Sequence, residues 1–169
     1  MTSKNAATNK FRTAIIVFAA LLFSFSLYAQ QLSQKYNSLL DRTEFYDSNG
    51  QMVGYAKENT LLNQLEYYDA YGKLLKTQKR NNLLNRTETY DPNGNQQGYS
   101  KYNDLLKQKE SYDKNGNQEY VKKWNQLLER YDIFDQNGRQ VGYYKYNTLL
   151  EKWEYFPNYW TALRNSMSA

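Results

Sequence analysis

Tyr46-Asp47-Ser48-Asn49-Gly50 is the stretch whose reading decides the fold. Asp at the head of a turn bonds the backbone two residues on. Asn tolerates the third turn position, and Gly accepts positive φ at little cost. The same punctuation returns at Asp69-Ala70-Tyr71-Gly72, Asp91-Pro92-Asn93-Gly94, Asp113-Lys114-Asn115-Gly116 and Asp135-Gln136-Asn137-Gly138. Pro92 stands where a φ of about −65° is wanted. The pattern predicts a type I turn closed by a left-handed residue, the connection of a β-hairpin with a Gly bulge. Its flanks, RTEFYD over residues 42–47 and QMVGYAKEN over 51–59, are rich in aromatic and branched residues and read as strands.

Outward from the turn, everything recurs on one count. Leu-Leu pairs fall at Leu39-Leu40, Leu61-Leu62, Leu83-Leu84, Leu105-Leu106, Leu127-Leu128 and Leu149-Leu150, 22 residues apart each time. Asn precedes each pair by two positions (Asn37, Asn59, Asn81, Asn103, Asn125, Asn147), and Lys stands two before that (Lys35, Lys57, Lys79, Lys101, Lys123, Lys145). An acidic row follows at Glu44, Glu66, Glu88, Glu110, Asp132 and Glu154. A second connection must fall around each Asn-x-Leu-Leu, so the unit is two strands of about seven residues and two turns. A 44-residue period is superimposed, with Gly54-Tyr55, Gly98-Tyr99 and Gly142-Tyr143 in alternate units.

A parallel β-helix with one coil per unit would stack identical positions ~4.8 Å apart, lining up Lys on Lys and Asp on Asp at about 1 kcal/mol per neighbour even in water. Hairpins place identical positions two strands, ~9.6 Å, apart, near the screening length of physiological salt. The fold class expected is therefore all-β: tandem 22-residue antiparallel hairpins over residues 30–155, in an elongated or coiled meander or solenoid-like sheet. The paired leucines are expected to contribute to its core, with the Tyr and Trp rows adding the area that leucine alone cannot supply. Repeat arrays need covered ends. Residues 156–169, beginning Phe156-Pro157-Asn158-Tyr159-Trp160, read as a degenerate sixth turn serving as cap, then a tail.

The chain opens differently. Lys4, Lys10 and Arg12 precede an apolar run over residues 13–27, and Tyr28-Ala29-Gln30 follows. Positive start, short apolar middle and a small residue at the exit predict a signal peptide over residues 1–29, cut after Ala29, and a secreted, periplasmic or cell-surface protein. A spanning helix wants ~20 apolar residues. The 169-residue chain carries 22 basic and 17 acidic groups. Removing the three basic residues of the leader leaves 19 against 17, interspersed, with no basic patch for nucleic acid. Contact with a membrane is expected only through the leader before cleavage.

Cys and His are both absent, which removes disulfides, the commonest metal ligand and the usual general base. Carboxylates are plentiful, but each recurs at one register, whereas a catalytic site is singular. The Asp row (Asp47, Asp69, Asp91, Asp113, Asp135), with its glycines Gly50, Gly72, Gly94, Gly116 and Gly138, is read as turn structure, and the Glu row as cross-strand partners. Asp-x-Asn-Gly echoes part of a calcium loop, yet that loop needs more carboxylates and a bidentate Glu. No catalytic residue, cofactor or metal is expected, and the chain reads as a non-enzyme.

The aromatic rows are the candidate binding residues. Tyr36, Tyr102, Trp124 and Tyr146 share one register beside the Lys row, and Tyr55, Tyr99 and Tyr143 share another. Aligned aromatics stack on sugar faces or grip a protein partner; the structural alternative is that they stack on one another. The function expected is an exported interaction scaffold binding a protein or polysaccharide, with a self-associating envelope component as the alternative, joined through open sheet edges.

The Tyr-Asp-x-x-Gly punctuation at this spacing resembles the YD repeats of bacterial Rhs-type secreted proteins, and the Gly-spaced aromatic hairpins resemble MORN-variant repeats. More loosely, the hairpins resemble choline- and glucan-binding cell-wall modules. The likeness spans about residues 35–160. It departs from Rhs shells, which use many more repeats and carry a toxin domain, and from the cell-wall modules in having Tyr where those have Trp. It implies architecture and no particular ligand-binding residue.

Overall fold

The computed structural model describes residues 32–158, so the expected leader and the tail from Tyr159 onward lie outside the described residues. Twelve strands follow one another: β1 (Leu32–Asn37), β2 (Arg42–Tyr46), β3 (Met52–Asn59), β4 (Gln64–Asp69), β5 (Leu74–Asn81), β6 (Arg86–Tyr90), β7 (Gln96–Asn103), β8 (Gln108–Asp113), β9 (Gln118–Asn125), β10 (Arg130–Asp135), β11 (Gln140–Asn147) and β12 (Lys152–Pro157). Each pairs antiparallel with its neighbours in sequence, and β1 pairs with β12.

The turns form as their residues dictate. The Gly50 amide donates to the Asp47 carbonyl at 3.1 Å, and Asp47 Oδ1 accepts the amides of Asn49 and Gln51 at 2.9 and 2.8 Å. Gly50, Gly72, Gly94, Gly116 and Gly138 take φ between 73° and 86°. The other connection is set by Asn: Asn37 Oδ1 accepts the amides of Leu39 and Leu40 at 3.1 Å. It ends on a left-handed residue that is never Gly, namely Asp41, Asn63, Asn85, Lys107, Glu129 and Glu151.

The expected elongated or coiled sheet is corrected to a closed barrel. Asn37 lies opposite Arg42, and Arg42 opposite Lys57, so crossing one unit advances 20 residues where the repeat is 22. Each unit thus slips two residues, and six units slip twelve, the stagger that closes a twelve-stranded barrel. With strands ~4.8 Å apart and tilted about 36°, the backbone ring is ~22 Å across. Closure satisfies every edge, which is what an open meander cannot do. Phe156 and Pro157, the first residues of the expected cap, belong to β12, opposite Tyr143 and Gly142.

The leucines are the second correction. They were counted toward the core, but Leu39, Leu61, Leu83, Leu105, Leu127 and Leu149 are 89–93% exposed, at the hairpin tips. The apolar core is instead the lumen between β10 and β4. Phe45 and Tyr67 stack there with centroids 6.3 Å apart, and Ile133 and Tyr144 pack with Tyr120, Val141 and Tyr155. The lumen face of β5 to β9 is polar: the Tyr67 hydroxyl donates to Gln78 at 2.9 Å and Gln78 to Thr89 at 3.3 Å, with Lys76, Ser100, Ser111 and Lys122 buried around them.

Candidate functional site

The outer wall is a repeated belt of satisfied groups. Glu110 accepts from Asn103, Gln108 and Tyr112 at 2.8, 3.0 and 2.7 Å. Glu44 and Glu88 accept the same way, with Arg42 and Arg86 each donating two N–H groups to the Oε1 oxygen. At Glu44, Glu66 and Glu110 burial resists ionisation, but the donated hydrogen bonds outweigh it and hold the carboxyl below its usual range; at Glu88 the bond from Tyr90 is the leading cause. The counterpart is that Tyr46 and Tyr68 are pushed up to about 12, chiefly by bonding a carboxylate. These charges are structural, and a wall bearing basic and acidic side chains along every hairpin is the reverse of the apolar band of a membrane-spanning barrel.

The second aromatic row belongs to this wall. Tyr55, Tyr99 and Tyr143 stack on Tyr68, Tyr112 and Phe156 at 4.9–5.0 Å. Their other faces carry the guanidinium groups of Arg42, Arg86 and Arg130 at 4.0–4.4 Å. Both faces are taken, so these rings hold strands together. Here the 44-residue period finds its cause: Arg alternates with Gln64, Gln108 and Lys152 in step with the Tyr it covers.

The first row lies at the leucine end, facing the lumen mouth. Tyr36 is paired with Thr43, Tyr102 with Lys109, Trp124 with Tyr131 and Tyr146 with Trp153. Trp124 meets Tyr131 edge-on at 4.8 Å, Tyr131 lies 5.7 Å from Trp153, and Trp153 lies 5.3 Å from Tyr146. An aromatic arc therefore runs along β9 to β12 to the closure seam, where the Tyr36 hydroxyl donates to Asp41. Tyr102 makes no ring contact in this arc. Tyr131 and Trp153, which complete the arc, were not singled out from sequence. They share one register 22 residues apart, where other units have Thr43, Leu65, Thr87 and Lys109; that singular aromatic pair was the available signal.

At the seam a pocket of about 270 Å³ opens between Gln34, Lys35, Tyr36, Thr43, Tyr146, Glu151 and Trp153. Gln34 is buried, and its Oε1 accepts no hydrogen bond among the described residues. Across the mouth the lining is cationic. Burial, with the Arg80 charge beside it, lowers Lys109 to about 8. Lys122 lies 4.4 Å over the Tyr131 ring, and burial, with Lys109 nearby, pulls it well below the usual ammonium range. The Asp row is consumed by backbone amides, and among the described residues no three metal-ligating side chains gather.

No protein-family model matches this sequence, and no curated protein matches it. Among solved structures, an X-ray structure of a protein from Arabidopsis thaliana superimposes with a TM-score of 0.58 at 11% identity, covering 85% of this chain and 94% of that one. That likeness is one of fold alone.

Proposed function

We propose that this chain is an exported, non-enzymatic binding barrel, built from units resembling YD or MORN-variant repeats, that takes a saccharide at the leucine-end mouth. One observation carries the reading: the seam pocket brings Trp153, Tyr146 and Tyr36 around a buried Gln34 oxygen that has no donor among the described residues. A buried acceptor left unmet costs about 1–3 kcal/mol, and a sugar hydroxyl is a fitting donor. The aromatic faces offer stacking, and Thr43, Lys35 and Glu151 offer polar contacts at the rim. The self-associating alternative would need a route other than edge pairing, because β1 and β12 pair with each other.

The test is intrinsic tryptophan fluorescence during titration with soluble glucan, chitin and peptidoglycan fragments. One class should shift the emission saturably, and Tyr146→Ala or Gln34→Ala should weaken binding at least about tenfold, the scale of one lost stacking or hydrogen-bonding partner. Tyr99→Ala, on the outer wall, should leave the affinity unchanged. Saturable binding insensitive to the pocket variants, or no saccharide response at all, overturns the reading.

A further inference from the structure

The leucine tips serve nothing described so far. Their turn is made by the Asn side chain and a left-handed residue, and any polar residue would fit at the tip. Yet all six units carry the pair, the first leucine 89–93% exposed and the second 44–53%. Single exposed leucines are ordinary; six such pairs set around one end of the barrel mark a contact surface.

The ring is flat. Trp153 of β12 faces Gln34 of β1 just as Tyr131 faces Tyr144 within the array, so the repeat operation closes on itself with no net rise. Equivalent tips therefore stand at one height around the axis. A protein partner touches one arc of such a ring; a plane touches all six tips at once.

The charges behind the tips complete the surface. Lys35, Lys57, Lys79, Lys101, Lys123 and Lys145 are exposed, two residues, ~7 Å, back from the strand ends. Interfacial apolar groups sink about 5–10 Å into a bilayer, which would bring the lysine ammonium groups to headgroup level. The acidic row stands opposite these lysines in register; Glu44, Glu88, Glu110 and Asp132 are buried, Glu66 and Glu154 half-buried, and all accept hydrogen bonds from other neighbours. Exposed charge at this end is thus seven lysines, with Lys107, against Asp41, Asp104, Glu129 and Glu151, while Glu58 and Arg80 at the mouth offset each other.

We infer that the leucine crown docks this barrel, end-on, onto an anionic phospholipid surface, without spanning it. A second copy of the chain, crown to crown, would set two cationic collars facing each other and is the less favoured occupant.

The chain has no cysteine, so single labels are clean. An environment-sensitive fluorophore on Leu105→Cys should blue-shift and become shielded from an aqueous quencher on phosphatidylcholine vesicles containing phosphatidylglycerol. The same label on Asn115→Cys, at the opposite end, should stay accessible. Lys79→Gln with Lys101→Gln should weaken vesicle partitioning about thirtyfold, since each cation near an anionic surface contributes about fivefold. Equal accessibility of the two labels on vesicles overturns the inference. So does shielding of Leu105→Cys without lipid that grows with protein concentration, which would assign the crown to a second copy. Docking would cover the leucine-end mouth, so lipid and soluble saccharide should compete; each is titrated without the other, and the two readings fail independently.

Discussion

Trp153 on the last strand stands directly opposite Gln34 on the first, in the register that Tyr131 keeps with Tyr144 inside the array. The seam is thus one more repeat junction with its turn left out. Both chain ends of the barrel, before Leu32 and after Pro157, lie at the Asp-turn end.

That geometry makes the barrel permutable. Joining residues 156 and 32 through the seven-residue segment Asp-Gln-Asn-Gly-Arg-Gln-Val, which links the equivalent Phe134 and Gly142, and opening the chain between Asn93 and Gly94 should give a folded protein within about 1–2 kcal/mol of the parent. The new ends lie in an exposed turn, and the new connection copies four existing ones. Urea unfolding of the permutant measures this. A permutant without a cooperative transition would show that the seam differs from the other junctions.

Acid should unfold the barrel through its outer belt. The carboxyl groups of Glu44, Glu66, Glu88 and Glu110 are held below their unfolded value of about 4.5, so the folded state binds fewer protons there. Their contribution is present in full above that value and is lost as pH falls through the folded pKa values. The urea midpoint should drop steeply below about pH 4.5. Glu110→Gln should flatten the drop while costing about 1–3 kcal/mol at neutral pH, because an amide nitrogen faces donors.

Lys76 works in the opposite pH window. It is buried with its Nζ 4.8 Å over the Tyr67 ring, and burial lowers it to about 6. Between about 6 and its unfolded value near 10.5 the unfolded chain binds the extra proton, so stability rises with pH across that span. Lys76→Met should stabilise the barrel at pH 7 by about 1–3 kcal/mol and shrink the rise to the part that Lys109 and Lys122 contribute, since the replacement fills similar volume without the charge. Chemical unfolding at pH 7 and pH 9.5 for both proteins decides it; a parallel pH dependence in the variant would refute it.

Why some of this was legible and some was not follows from distance along the chain. Asp47, Asn49 and Gly50 act on each other within four residues, so their chemistry shows in the sequence and the hairpins could be read directly. The Glu row likewise bonds residues two and seven away. Closure depends on a two-residue slip per unit, which includes a register shift after each Asp turn that skips Val53, Leu75, Gln97, Glu119 or Val141, and it is visible only when six junctions are added. The lumen is legible least of all. Outer groups repeat because each hairpin satisfies its own, whereas inner side chains share one space, so units differ there: Ala56, Gln78, Ser100, Lys122 and Tyr144 hold equivalent positions. The leucines misled because apolar pairs at a fixed period usually mean core, and hairpin tips are the one place in this unit that no neighbour covers.

The alternate glycines test the wall. A Cβ on Gly98 would stand 2.3 Å from the Tyr112 carbonyl oxygen, a backbone atom that cannot step aside without moving the strand, whereas a Cβ on Gly94 meets nothing within 4 Å. Gly94→Ala should cost about 1–2 kcal/mol, the strain of a left-handed φ of 85°. Gly98→Ala should cost more, about 3 kcal/mol or above, by forcing β7 from β8. Thermal melts that rank the two the other way would contradict the close approach.

The leucine-end turns hold a reserve of stability in their last residue. Lys107, Glu129 and Glu151 sit at φ of 49–51°, where a side chain bearing a Cβ is strained. Asp41, Asn63 and Asn85 occupy the same position in the first three units with residue types that tolerate it better. Lys107→Gly or Glu129→Gly should therefore stabilise the fold by about 0.5–1 kcal/mol each, although glycine gives the unfolded chain more freedom, because relief of strain exceeds that entropy. Asn85→Gly should gain less, and Lys107→Val, branched at Cβ, should lose at least 1 kcal/mol by the same strain. Melting temperatures of the four variants order the effect, and a destabilised Lys107→Gly together with an unaffected Lys107→Val would mean that this turn does not adopt the left-handed conformation.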